Sequence, residues 1–188
     1  MWERFPMENK TAPLENLCSF QGMKPAMMEL PYPPIRAEEK NLSFANLLSV
    51  DYCGSVSELS AITQYINNEN RLSCETCSVA KVILSIAMAE MMHLQKLGEL
   101  IYLLGGDVDY VAKYCDRKKF LWTPAYLTIP RSAKEMLLAD IESEKQAIGQ
   151  YEMHIRMIQD GCVNAVLKRI IQDEEYHIML LQAMLKEL

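Results

Sequence analysis

From about Ser43 onward, apolar residues recur every three or four positions, the spacing that places side chains on one face of an α-helix. Four helices are predicted. Helix A runs from about Ser43 to Tyr65 or slightly beyond, where the polar run Asn67, Asn68, Glu69 and Asn70 suggests a stop. Helix B starts near Ser78 and ends at Gly105 and Gly106, because glycine accepts the left-handed backbone angles of a helix terminus. Helix C begins near Ser132 and breaks around Asp160 and Gly161, and helix D runs from about Val163 to the last residue. Between B and C, residues 105 to about 131 carry Asp107, Trp122, Pro124 and Pro130 without a 3.6-residue period, a length that suits a crossover along a bundle. Residues 1–42 hold Pro6, Pro13, Pro25, Pro31, Pro33 and Pro34, which remove donors and restrict their neighbours, so this part is expected to be an extended arm. The expectation is one all-α domain: an arm over 1–42 and a four-helix bundle over 43–188, with a long crossover between B and C.

The inward stripes are not wholly apolar. Helix B reads Val82, Ile86, Glu90, His93, Leu97, Ile101, Leu104, and helix D reads Leu167, Ile170, Glu174, His177, Leu181, Met184. Helix A gives Leu48, Asp51, Ser55, Glu58, Ile62, Tyr65, and helix C gives Leu137, Ile141, Glu144, Ile148, Tyr151, Ile155, Ile158. The segment SELSAITQY at 57–65 echoes SEKQAIGQY at 143–151, an offset of 144 − 58 = 86, and the Glu-x-x-His of helix B recurs in helix D at 174 − 90 = 84. Two related helix pairs, A with B and C with D, would build a core with approximate two-fold symmetry.

Four carboxylates facing one another in an apolar core would repel strongly and lose their hydration, so something positive must sit among them. Four glutamates and two neutral imidazoles balance two divalent cations, and no Lys or Arg lies on these stripes. One Glu from each of two helices with a Glu-x-x-His from each of the other two is the ligand set of carboxylate-bridged di-iron and di-manganese bundles. Mixed carboxylate and imidazole donors suit iron or manganese better than a thiolate-preferring ion. Glu58, Glu90, His93, Glu144, Glu174 and His177 are therefore the candidate metal ligands for two Mn or two Fe ions per chain. Tyr65 and Tyr151 each follow a candidate Glu by seven residues, where a phenol can reach a carboxylate or a proton path or simply pack in the core. Glu142 and Glu175 fall outside the stripes and are assigned to solvent, as is His154. Asp51 is either polar packing at the bundle end or a channel residue.

The 188 residues are 50% hydrophobic, enough for one substantial core, and the formal net charge of −6 argues against nucleic acid as a partner. The start, MWERFPMENK, lacks an apolar run of signal-peptide length, and no stretch reaches about 20 uninterrupted apolar residues. No membrane partner and a cytoplasmic location are expected. The six cysteines then read as reduced thiols rather than a disulfide framework. Only Cys74 and Cys77 are close, and a zinc knuckle would need a second such pair.

Over residues 45 to 188 the chain resembles the ferritin-like superfamily of two-metal carboxylate proteins. SELSAITQY resembles the first-helix signature of bacterioferritins and manganese catalases, AEMMHLQKLGELIYLLGG their second helix, and DEEYHI their fourth. ELPYPPIRAEEKN and WTPAY look more like manganese catalase-like and spore-coat catalase-like proteins than storage ferritins. The resemblance implies that Glu58, Glu90, His93, Glu144 and His177 ligate metal, with Glu90 and Glu144 as bridges. Glu174 would be a ligand in the di-iron relatives and a proton-transfer group in the manganese catalases. Met91 matches the position that binds haem between bacterioferritin subunits. The implied activity is an oxidoreductase on hydrogen peroxide or dioxygen, assembled as a homo-oligomer. A di-iron ferroxidase or rubrerythrin-type peroxidase, and a spore or shell structural protein with a residual metal site, are the alternatives.

Overall fold

The computed structural model describes residues 18–114, 116 and 118–188, so the first part of the predicted arm, with Pro6 and Pro13, lies outside the described residues, as does Cys115. Helices α1 (Leu42–Cys53), α2 (Glu58–Leu72), α3 (Cys77–Leu103), α4 (Ala133–Met157) and α5 (Gly161–Glu187) form the bundle. Helices α3, α4 and α5 are the predicted B, C and D, with α2 packed on α3 and α4 on α5. Their ends follow from local chemistry. Ser132 and Glu135 form a capping box at the start of α4, and the Asp160 side chain accepts the Val163 N–H at the start of α5. Gly105, at φ 87°, turns the chain out of α3.

Helix A is two helices rather than one. At Gly54 the backbone becomes extended, and a Cβ there would lie 2.6 Å from the Val50 carbonyl oxygen, so the turn needs glycine. Ser57 then starts α2 by accepting the Ser60 N–H at 3.2 Å, while its own hydroxyl donates to the Gly54 carbonyl at 2.7 Å. The break makes Glu58 the first residue of α2, at the positive end of that helix's dipole. Asn67 to Asn70 do not stop α2, which continues to Leu72.

The crossover holds a small antiparallel hairpin, β1 (Val111–Lys113) with β2 (Lys119–Leu121), followed by one 3₁₀ turn at Pro124–Tyr126. It is fastened to the first two helices. The Lys113 N–H donates to Ser49 Oγ at 2.9 Å, Trp122 Nε1 to Ser60 Oγ at 3.0 Å, and the Thr128 N–H to Gln64 Oε1 at 2.8 Å.

The apolar core is divided. One cluster joins α1 to the Leu97–Leu104 end of α3 and the Val163–Ile170 end of α5; the other joins α2 to Val79–Ala87, Leu137, Ile141 and Leu181. The layer between them carries the charged residues of the stripes. Helix α3 is long and apolar enough to cross a bilayer by length and composition alone, but its middle buries Glu90 and His93 inside the bundle.

The expectation of reduced thiols fails at one pair. Cys18 and Cys77 are joined by a disulfide across 59 residues, fixing the start of the described arm to the first residue of α3. Cys53, Cys74 and Cys162 are free. Sequence spacing could not show this, because the partners meet only when the arm crosses the bundle. At the arm's far end the Glu38 N–H donates to Asp160 Oδ2 at 2.8 Å, and Glu38 Oε1 accepts the Gly161 N–H at 2.9 Å. Closing a loop of this length restricts the unfolded chain, so Cys18→Ser should lower the unfolding free energy by about 2–4 kcal/mol. Chemical denaturation of the oxidised protein and the variant measures it; equal midpoints and slopes contradict it.

Candidate metal centre

All six predicted ligands meet in the polar layer. Glu58 comes from the first turn of α2, Glu90 and His93 from mid-α3, Glu144 from mid-α4, and Glu174 and His177 from mid-α5. None is more than 3% exposed. Their donor atoms form two sets within 4.8 Å: Glu58, Glu90, His93 and Glu174, and Glu90, Glu144, Glu174 and His177. The two sets share Glu90 and Glu174. Glu144 belongs to the second set alone, while Glu174, whose oxygens lie 3.3 Å from His93 Nδ1 and 2.9 Å from His177 Nδ1, belongs to both.

Each imidazole turns Nδ1 inward and Nε2 outward. His177 Nε2 lies 2.8 Å from the Ala26 carbonyl oxygen, which can only accept, so Nε2 carries a proton and Nδ1 can present its lone pair. His93 Nε2 lies 3.2 Å from Asp173 Oδ2, which has the same effect. The tyrosines are crossed: Tyr65 on α2 donates to Glu144, and Tyr151 on α4 donates to Glu58. Burial pushes both phenols well above their usual range, so both stay donors.

The fit to metal can be tested on atoms left without partners. Glu90 Oε1, Glu174 Oε2 and His177 Nδ1 are buried with no hydrogen bond, although Nδ1 lies 3.1 Å and 2.9 Å from the two oxygens. They are close but misaligned for hydrogen bonding, and their lone pairs converge where a cation would satisfy all three. Metal-free, the cluster holds protons instead. Burial, then the charges of Glu90 and Glu174, push the Glu58 and Glu144 carboxyls well up. Burial also raises Glu90, but His177 and His93 outweigh it and hold that carboxyl well below the usual range. Both imidazoles are disfavoured as cations by burial, yet the carboxylates keep them well above their ordinary pKa, led by Glu174 at His93 and by Glu90 at His177.

Other expectations fare differently. Glu142 and Glu175 are exposed, and Met91 lies on the outer face of α3, 47% exposed. His154 is a correction: it is buried on the flank of α4 that faces α1, with Nδ1 2.7 Å from Asp51 Oδ2. Asp51 is buried too, which places it in bundle packing and, as shown below, along a cavity wall.

Sequence reasoning missed Asp173, whose carboxylate ties the arm to His93. It accepts from the Met28 N–H at 2.8 Å and from Tyr32 Oη at 2.7 Å, and it pairs with Arg169 Nη1 at 2.7 Å. Arg169 in turn donates to the Met28 carbonyl at 2.8 Å and, like Lys96, stands 4.5 Å from the Tyr32 ring centre. Burial raises Asp173, but hydrogen bonds from His93, Arg169, Tyr32 and Met28 overcome it and bring the carboxyl down to about 2. The four-residue spacing of Arg169 and Asp173 was a usable signal. The Ala26 carbonyl, being main chain, left none.

A bundle with two carboxylate and imidazole donor sets sharing two glutamates defines the class: residues 57–188 match the ferritin-like domain model, and the chain belongs to that family. It is 26% identical over 170 residues to a probable manganese catalase of Clostridium acetobutylicum, covering 81% of this chain and 75% of the relative. In fold it resembles KatB, a manganese catalase from Anabaena, at TM-score 0.73 and 24% identity, over 85% of this chain and 78% of the other. It also resembles the bacterioferritin BfrA of Mycobacterium tuberculosis at TM-score 0.65 and 24% identity, over 79% and 87%.

Two outcomes follow from the electrostatics. The raised pKa of His93, His177, Glu58 and Glu144 means that binding a cation displaces protons, so Mn(II) affinity should rise with pH, up to tenfold per unit for each proton released. Calorimetry in buffers of different ionisation enthalpy counts those protons, and a count of zero contradicts the assignment. Asp173→Asn should weaken metal binding about 10- to 100-fold with helix content intact, because the outer partner of a ligand imidazole sets its tautomer and basicity. Equal affinity in both proteins would remove Asp173 from this role.

Proposed function

We propose that the chain is a two-metal oxidoreductase acting on hydrogen peroxide, of the manganese-catalase type: two peroxides become two waters and one dioxygen. The observation that carries the two-metal part of the reading, whichever metal is native, is the pair of donor sets in a layer between two apolar clusters. Likeness to a probable manganese catalase over 81% of the chain supports the choice of substrate. Bound manganese or iron would supply two adjacent Lewis-acidic centres able to exchange electrons with peroxide.

The residues around them admit, hold and move small groups. A narrow cavity of about 10 Å³, room for one water-sized molecule, reaches all four glutamates between Ala61 and Ser57 of the α2 side and Ser143 and Ala147 of α4. That size suits one water, and peroxide or dioxygen, with two heavy atoms each, would enter by parting the lining side chains. Tyr65 and Tyr151 keep Glu144 and Glu58 oriented by donating to one oxygen of each. Glu174, in reach of both imidazoles, is the group placed to hold a proton between half-reactions.

A second reading rests on that same residue. Glu174 belongs to both donor sets, as expected where it ligates iron, which favours a di-iron ferroxidase or peroxidase. Metal analysis of protein purified without added metal, with peroxide and ferrous assays, separates the two. Manganese near two per chain and steady oxygen release from peroxide support the catalase; iron with ferrous-dependent oxygen uptake supports the alternative. Glu174→Gln should leave manganese bound in the catalase case and suppress turnover at least tenfold. A metal content far below one ion per chain overturns both.

A further inference from the structure

The α1–α4 end of the bundle buries a polar group that neither donor set uses. Asp51 Oδ2 lies 2.7 Å from His154 Nδ1, and Gln150 Nε2 donates to Asp51 Oδ1 at 2.8 Å and to the Val56 carbonyl at 2.9 Å. Asp51 is 1% exposed and His154 2%. These residues lie on the wall between two cavities. On one side Asp51, Gln150 and Tyr151 line the narrow cavity that reaches Glu58 and Glu144. On the other, Gln150 and His154 line an open cavity of about 510 Å³ between α1, α4 and the β1–β2 hairpin.

The opposite end of the pseudo-symmetric core gives a comparison within the molecule. His154 follows Glu144 by ten residues, as Asn68 follows Glu58, and Gln150 follows by six, as Gln64 does. There Asn68 Nδ2 donates to both oxygens of Asp140 at 2.9 and 3.0 Å, and Gln64 donates to Asn68 Oδ1 at 3.2 Å. The architecture is shared: a buried aspartate held by the side chain at position ten. The chemistry is not, because an imidazole can take a proton on one nitrogen and give one from the other, and an amide cannot.

We propose that His154 and Asp51 form a proton relay between the open cavity and the metal chamber, in addition to the path that substrate takes. A proton taken up at His154 Nε2 from water in the open cavity releases the Nδ1 proton to Asp51 Oδ2. Asp51 passes it to water in the narrow cavity that it lines beside the metal layer; the reverse order carries protons out. No electron moves along the path. Among the described residues, the titratable groups that share the narrow cavity with Asp51 are Glu58, Glu90, Glu144, Glu174 and Tyr151, and those that share the open cavity with His154 are Lys113, Tyr114, Asp116 and Lys118. Burial raises the Asp51 carboxyl against the pull of His154 and Gln150, which suits a group that holds a proton in transit.

The relay rests on the two-metal reading but not on which metal or substrate is native, so the test uses metal loading alone. Metal-free protein is mixed with Mn(II) in weak buffer, and metal uptake and proton release are followed separately in a stopped-flow instrument. His154→Asn copies the Asn68–Asp140 pairing, so it keeps the hydrogen bond to Asp51 and the fold, which its melting curve checks. In the wild type, proton release keeps pace with metal uptake. In His154→Asn the same number of protons leaves, at least tenfold later than the metal binds, and added imidazole, small enough for the open cavity, shortens the lag in proportion to its concentration. Release in step with uptake in the variant, or a lag that imidazole does not shorten, overturns the relay and leaves the metal centre standing. Failure of the wild type to bind Mn(II) or Fe(II) overturns the two-metal reading and the relay with it.

Discussion

Four glutamates and two histidines share one water-poor layer of the bundle, and the cost of placing like charges there shapes the surroundings of each. Glu58 sits at a helix start, where a dipole favours its charge, and the chain breaks at Gly54 to put it there. Glu58 and Glu144 each receive a tyrosine hydroxyl from the helix opposite. Apolar clusters on either side frame the polar layer with packing of their own. A cation in the layer would replace several protons and convert mutual repulsion into shared ligation.

The core is symmetric in its inner residues and asymmetric outside them. Asp173 accepts from His93, but the residue 84 positions earlier, which would do the same for His177, is Ala89. The arm supplies the missing acceptor through the Ala26 carbonyl and is itself held by Asp173, Arg169 and the Cys18–Cys77 bridge. One strap thus completes the surroundings of both histidines. The ends of the bundle differ in the same manner, His154 standing where the other half has Asn68.

What was legible in the sequence was periodic. The stripes of α3, α4 and α5 gave their ligands because a charge on an apolar face has a restricted explanation, and the repeat of Glu-x-x-His at a fixed offset made coincidence poor. What was not legible depends on where distant segments meet. Helix A reads as continuous because the three- and four-residue spacing of its stripe carries through the break in Asp51, Ser55 and Glu58, while the reason for the break is a steric contact at Gly54. His154 lies on the flank of its helix and becomes interior only because α1 crosses there with an aspartate. The hairpin strands are three residues each, too short for an alternating pattern to register. The disulfide and Asp173 join the arm to the bundle, and no local pattern encodes that pairing.

The acceptor at His177 is a peptide oxygen, and this alters how the centre responds to inherited change. Replacing Ala26 by another residue leaves that oxygen where it was, provided the backbone keeps its course. Sensitivity is transferred to whatever fixes that course: the Ala26 N–H donating to the Ser85 carbonyl at 2.8 Å, Pro25 beside it, and the anchors at Met28 and Cys18. In a lineage the centre would tolerate drift at the residue that touches it while remaining exposed to insertions or deletions in a stretch that touches nothing catalytic. The strap's length, more than its composition, is what this arrangement holds fixed.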